Sequence, residues 1–402
     1  MTGAETSTAP AAPGTRAPAV LQVLPRLVTG GVERGTVDVA AALVAAGWKA
    51  VVASAGGPMV RELERAGARH VELPLASKNP WTMRGNVERL AELIRRERID
   101  IVHARSRAPA WSAGAASRRT GAHFVTTFHN VYGDSWWLKR RYNGIMAEGE
   151  RVIAISNFVA AHVASRYGVP PERLRIIPRG VDFTRFDPER VSAERVIQLA
   201  RQWRLPDGVP VVMLVGRLTR WKGQLVLIDA VAQLRREDLR CMLVGAGEAR
   251  YRRDLIAAIK ARGLEGVFQI VDDCRDIPAA YMLSDVVVSA STRPEGFGRV
   301  MAEAQAMGRP VIATDHGGAR EIIRTGETGW LVPPADGAAL AVAIADALTL
   351  TPAVRAELAA AAIEHVRGQF GTRLMTDRTI AVYEEILFPE SAAVEPSGPV
   401  AA

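Results

Sequence analysis

The chain is predicted to be an α/β protein with two parallel-sheet domains, on three observations. Short apolar, β-branched runs alternate with amphipathic stretches from Val20-Leu21-Gln22-Val23-Leu24 onward, the pattern of strands covered by helices. At 402 residues, 48% of them hydrophobic, the chain is too long for one ordinary domain and rich enough in apolar side chains to fill two cores. A unit of strand, glycine loop and helix start then recurs in the second half, around Gly216-Arg217, Gly296-Phe297-Gly298 and Gly317-Gly318.

Residues 1–18 are Ala, Thr, Pro and Gly with almost no bulky apolar residue, so a flexible tail without a signal-peptide core is expected. A first domain is expected over 19–185. After its first strand comes Thr29-Gly30-Gly31-Val32-Glu33, whose glycine spacing is not that of a dinucleotide fingerprint and which by itself reads as a tight strand-to-helix turn. Further strands are expected at Lys49 to Ala53, His70 to Leu73, Ile99 to His103, His123 to Thr127 and Arg151 to Ile155. Right-handed crossovers align their C-terminal ends along one edge. Arg105 and Arg107 sit at that edge, either to hold an acceptor phosphate or as solvated loop charges, and His129 follows the next strand. Trp136, Trp137, Lys139, Arg140 and Arg141 combine indoles with cations, which suits a membrane interface; the alternative is a helix whose aromatics pack inward. Ser156 is a helix cap. Residues 186–208 read as an irregular, charged linker, and 389–402 as a second unstructured tail.

The second domain is expected over 209–370. The strand Val211 to Val215 leads into Gly216-Arg217-Leu218-Thr219-Arg220-Trp221-Lys222-Gly223, putting Arg217 and Lys222 at a strand's C-terminal edge, where open parallel sheets bind ligands. An Arg fork and a Lys point charge together suit a diphosphate. The strand Val286 to Ala290 leads into Glu295-Gly296-Phe297-Gly298, and a helix carries Glu303 roughly 10 Å beyond Glu295. Two acids bracketing a helix N-terminus suggest a sugar nucleotide, its phosphates at the helix end and its hydroxyls on the carboxylates; equally, both acids are solvated. Gly245-Ala246-Gly247 lacks the third small residue of a nucleotide fingerprint, and Asp276 with Pro278 starts a helix.

Arg217, Lys222, the Glu295 to Glu303 spacing and Gly317-Gly318 with Glu321 closely resemble family-4 retaining glycosyltransferases of the GT-B fold, over about Val20 to Leu387. The resemblance implies two Rossmann-like domains facing across a cleft, with a C-terminal helix at 371–388 crossing back to the first. It implies a sugar moved from a nucleoside diphosphate sugar of UDP or GDP type to a hydroxyl acceptor with retention, no cofactor beyond that substrate, and no metal. Glu295, Arg217, Lys222 and His129 take the catalytic positions, and Gly30, Gly31, Gly296, Phe297, Gly298 and Glu303 the donor site. Arg179 stands where the family usually has Asn, and Asp272-Asp273-Cys274 departs from its usual glycine, which leaves the base open.

With 51 basic against 43 acidic residues the chain carries +8, favouring anionic partners. No nucleic-acid motif accompanies that charge, so nucleic acid is a remote alternative, behind a nucleotide-sugar isomerase or phosphorylase. Two cysteines argue against a disulfide scaffold, and no run of about 18 apolar residues predicts a membrane span. No Asp-x-Asp pair in a suitable loop or ligand-spaced His suggests a metal. The expected place is cytoplasmic, peripheral at the inner membrane face, with a lipid-linked acceptor in envelope polysaccharide, lipopolysaccharide or glycolipid synthesis.

Overall fold

The structure is a computed structural model that describes residues 16–133 and 136–390. Thirteen strands form two parallel sheets among these residues. The first holds β1 (Ala19–Val23), β2 (Lys49–Ser54), β3 (Arg69–Glu72), β4 (Ile101–Ala104), β5 (His123–Phe128), β6 (Arg151–Ala154) and β7 (Leu174–Ile176) in the order β3-β2-β1-β4-β5-β6-β7. The second holds β8 (Val211–Val215), β9 (Arg240–Val244), β10 (Phe268–Val271), β11 (Val286–Ser289), β12 (Val311–Thr314) and β13 (Trp330–Val332) in the order β10-β9-β8-β11-β12-β13. In each sheet the order reverses beside the first strand, between β1 and β4 and between β8 and β11, creating the crevice where such sheets bind ligands.

Apolar runs rather than strict alternation mark these strands because both faces of a parallel sheet are covered. In β8, Val212 and Leu214 join a core with Leu227, Val231, Leu340 and Ile344, while Val211 and Met213 pack on the opposite face with Leu199, Trp203 and Ala279.

The chain divides into two compact units, one of residues 16–126, Glu148–Glu150 and 383–390, the other of residues 127–147 and Arg151–Val382. The terminal helix Thr372–Leu387 therefore ends in the first unit, where buried Tyr383 bonds His103.

The expectation of an irregular linker is overturned. Residues 193–202 form the helix Ala193–Gln202, capped by the Ser192 hydroxyl. Its charged composition hides an i, i+4 pair, Leu199 and Trp203, which reaches the core. Arg195 fixes the helix to Asp276 through two hydrogen bonds of 2.7 and 2.8 Å, which hold the Asp276 carboxyl below its ordinary range. Asp276 also caps the helix Ile277–Leu283, as expected.

Of the expected N-terminal tail, Arg16 is engaged with Asp100; residues 1–15 lie outside the described residues, as do 391–402. Among the described residues no single helix is long and apolar enough to cross a membrane.

Candidate functional site

The site in the second unit is assembled from the loops that leave β8, β11 and β12 at their C-terminal ends. After β8, Arg220–Lys222 makes one 3-10 turn and Gly223 closes it in the left-handed region, at φ 75°. A Cβ at Gly223 would lie 1.7 Å from the Ala290 carbonyl oxygen, so only glycine lets this loop lie against the end of β11. The Thr292 N–H donates to the Trp221 carbonyl at 2.7 Å and stitches the two loops together.

This stitching brings Lys222 to Glu295. Lys222 Nζ donates to Glu295 Oε1 at 2.7 Å, both side chains being 16% exposed, and the Ser291 hydroxyl donates to the same oxygen. Glu295 is thus paired and largely withdrawn from solvent, against its reading as a solvated acid. Its carbonyl accepts the Gly318 N–H at 2.9 Å, tying in the loop after β12. Ser291 is itself held: its carbonyl accepts from the Thr314 hydroxyl and His316 Nε2, each at 2.8 Å. Arg217, on the same loop as Lys222, is exposed and makes no ion pair among the described residues. One cation is committed to a carboxylate, and the other is available.

Gly298 opens the helix Arg299–Ala306 from a left-handed conformation and carries no side chain that caps it. Glu303, one turn in, is buried rather than solvated: Arg299 Nη2 donates to its Oε1 at 2.7 Å and the Tyr281 hydroxyl to its Oε2 at 3.2 Å. Burial first, and then the Glu303 charge, push the Tyr281 phenol well above its ordinary value, so it remains a donor. A ligand hydroxyl reaching Glu303 meets a carboxylate already oriented by two groups. Phe297, expected in the donor site with its loop, is buried, its ring edge-on to Phe370 at 5.3 Å between centroids. An aromatic ring has more to gain in the core than at a polar loop surface, and the Phe297 ring takes that place.

Gly296 lies against the segment after β5. A Cβ there would be 2.8 Å from the His129 carbonyl oxygen, so His129 meets this loop through its main chain. The Ser156 hydroxyl donates to the Gly296 carbonyl at 2.5 Å and also caps its own helix by accepting from the Val159 N–H. Glu321 accepts from the Asn157 and Phe158 N–H groups, each at 2.8 Å, and so caps the helix Asn157–Tyr167 from a distant part of the chain. The loop-binding role of Ser156 and the hold of Thr314 and His316 on the Ser291 carbonyl carry no signal in local sequence, because these partners lie 23 to 140 residues apart.

The remaining candidates divide between the units. In the first, Gly30 caps the helix Gly31–Ala45 without a side-chain bond, and the Glu33 carboxylate lies over Gly30. Arg105 is only 3% exposed, which overturns its reading as a solvated loop charge, and Arg107 is half-buried at the start of the helix Arg107–Thr120. In the second, Trp136 and Trp137 are 55% and 68% exposed at the helix Trp137–Gly144, with Lys139, Arg140 and Arg141 exposed beside them, so the inward-packed alternative fails. Ser135, in the same sequence segment, lies outside the described residues. Among the described residues no three His, Cys, Asp or Glu side chains cluster as metal ligands.

Comparison with known proteins agrees with this architecture. Residues 29–185 match the family Glycosyltransferase Family 4, and residues 197–366 match Glycosyl transferases group 1. The D-inositol 3-phosphate glycosyltransferase of Arthrobacter sp. (strain FB24) is 31% identical over 326 residues, 75% of this chain and 74% of that protein. A glycosyltransferase from Rickettsia africae ESF-5 superposes with a TM-score of 0.85 at 38% identity, covering 93% of this chain and all of the other. Anabaena HepE, solved in complex with UDP-glucose, superposes with a TM-score of 0.80 at 25% identity over 91% of this chain and 99% of its own. Two parallel sheets in GT-B order, joined by glycine loops that set Lys222 on Glu295, thus come with matches across both halves: the chain belongs to the family-4, group 1 glycosyltransferases.

Proposed function

We propose that the second unit binds a nucleoside diphosphate sugar of UDP or GDP type, and that the enzyme transfers the sugar to a hydroxyl acceptor with retention of anomeric configuration and without a metal ion. The observation that carries this reading is the Lys222 to Glu295 contact beside exposed Arg217, at the C-terminal edge of β8 and β11. Arg217 and Lys222 take the place of a cation on the diphosphate, and Glu295, whose Oε1 holds Lys222 in place, accepts from sugar hydroxyls on its other oxygen. As the anomeric C–O bond breaks, its electron pair leaves with the diphosphate, and the fixed cations stabilise that growing charge more than they stabilise the ground state. The acceptor hydroxyl bonds to the anomeric carbon on the face the diphosphate leaves, and its proton passes to a leaving phosphate oxygen. The UDP-glucose complex of HepE supports a sugar-nucleotide donor. No observation favours an isomerase, a phosphorylase or nucleic-acid binding.

Calorimetry with UDP, GDP, ADP and their sugars tests the donor reading. One nucleotide series is expected to bind with equal affinity in magnesium and in EDTA, and Arg217→Ala to weaken it about tenfold to a hundredfold, the worth of a charge-assisted phosphate contact. Binding that requires magnesium, or that Arg217→Ala leaves unchanged, refutes this donor site.

The exposed indoles and cations of the helix Trp137–Gly144 support a second element of the proposal: the enzyme works peripherally at the cytoplasmic membrane face, on a lipid-linked acceptor of envelope polysaccharide or glycolipid synthesis. The protein is expected to co-sediment with anionic vesicles at low salt, and replacement of both Trp136 and Trp137 by Ser to abolish most of that binding. Equal recovery of both proteins in the supernatant refutes membrane contact through this helix.

A further inference from the structure

The first unit contains a buried cation that the donor chemistry does not use. Arg105 follows β4 directly, and its N–H donates to the Val23 carbonyl of β1 at 2.9 Å, which places it at the reversal of strand order in that sheet. It is 3% exposed, yet among the described residues no carboxylate lies within ion-pair distance of it and its buried Nε has no hydrogen-bond partner. The groups that face it are His103, Tyr383 and Asp38. His103 and Tyr383 are fully buried and joined by a 2.6 Å hydrogen bond between Nδ1 and the hydroxyl. Burial keeps both uncharged, pushing the imidazole down and the phenol up. Asp38, half-buried on the helix Gly31–Ala45, acts on Arg105 only at longer range.

An unpaired guanidinium is expensive to hold away from water, and hydrophobic packing in its place is commonly neutral or stabilising. A side chain kept in this state at a sheet's ligand-binding edge is explained by a ligand that completes it. The planar fork of Arg matches two oxygens of a phosphate, and the depth of the side chain suits a compact head group.

We propose that Arg105 is the anion-binding residue of an acceptor subsite in the first unit, and that the acceptor carries a phosphomonoester there. The proposal rests on the glycosyl-transfer reading above, since it assigns the acceptor's chemistry. The phosphate is supplied either by a soluble acceptor or by a lipid head group.

Calorimetry with inorganic phosphate tests the subsite in wild type, Arg105→Met, Arg105→Lys and Lys222→Ala, together with the nucleotide panel. Phosphate is expected to bind wild type and Lys222→Ala alike, at least tenfold more weakly to Arg105→Met, and with partial recovery in Arg105→Lys. Nucleotide affinity is expected to be the same in Arg105→Met as in wild type, and the unfolding midpoint of that variant equal or higher. Vesicles containing phosphatidic acid that compete with phosphate support the subsite with a head group as the source; the absence of competition supports it with a soluble acceptor. Phosphate binding retained in Arg105→Met overturns the proposal. So does a parallel loss of nucleotide affinity, which would make Arg105 a donor residue, and so does failure of both Arg105 variants to fold, which would make it structural. Should no nucleotide bind wild type while Arg105-dependent phosphate binding persists, the donor reading falls and the anion subsite stands.

Discussion

Lys222→Ala is expected to lower kcat at saturating donor about a hundredfold, the effect of losing roughly 3 kcal/mol of preorganised charge opposite a leaving group. Three features make Lys222 the larger of the two cationic effects. Its ammonium is fixed by Glu295 at 2.7 Å, lies 4.6 Å from the centre of the Trp221 ring, and is mostly withdrawn from solvent. A cation already oriented in a partly dry site reorganises little as charge develops, whereas exposed Arg217 must first be ordered by the ligand. The expected signature is a fall in kcat exceeding the change in KM for the donor, because the interaction strengthens in the transition state. A rise in KM with kcat unchanged would assign Lys222 to ground-state binding. Urea unfolding of the variant separates this from damage to the fold, since Glu295 keeps the Ser291 hydroxyl as a partner.

Trp203→Ala is expected to destabilise the second unit by about 3–5 kcal/mol, read as a lower urea midpoint, the range for truncating a buried aromatic. Trp203 is 3% exposed and packs with Leu199, Val211, Met213, Met242, Val244, Ala279 and Ala280 on one face of the second sheet. A cavity of about 480 Å³ already opens beside it, lined in part by Arg195, Gln202 and Asp276, so truncation admits water to that face. At temperatures where the variant remains folded its nucleotide affinity should be that of wild type. A loss of less than about 1 kcal/mol would mean that the helix Ala193–Gln202 is dispensable to the core, and the linker reading would regain its ground.

The contrast between Trp203 and Lys222 shows where local sequence stops being informative. Lys222 was legible because a strand of β-branched residues, a glycine and a basic residue in a loop each follow from local chemistry. The helix Ala193–Gln202 was not, since its Arg, Glu and Gln side chains dominate the composition while two side chains one turn apart attach it to the core. Arg105 was legible as a residue at a strand end and misread in state: sequence shows a charged side chain after a strand, and only the packing of His103, Tyr383 and the helix Gly31–Ala45 around it removes the water. Phe297 was read with its neighbours as part of a ligand loop, yet its ring found Phe370 some 70 residues away.

Sequence alone determined the two parallel sheets, the capping of the helices at Ser156 and Asp276, and the loops on which Arg217, Lys222, Glu295 and Glu303 lie, because strand and helix periodicity, glycine and capping chemistry act over a few residues. Tertiary structure decided which charge meets which. Glu295 is set on Lys222 73 positions away, Glu321 caps a helix more than 160 residues before it, and Arg105 is left buried with no ion-pair partner among the described residues. Electrostatic partners are chosen by distance in space and by the exclusion of water, and neither quantity is written in the spacing of residues along the chain.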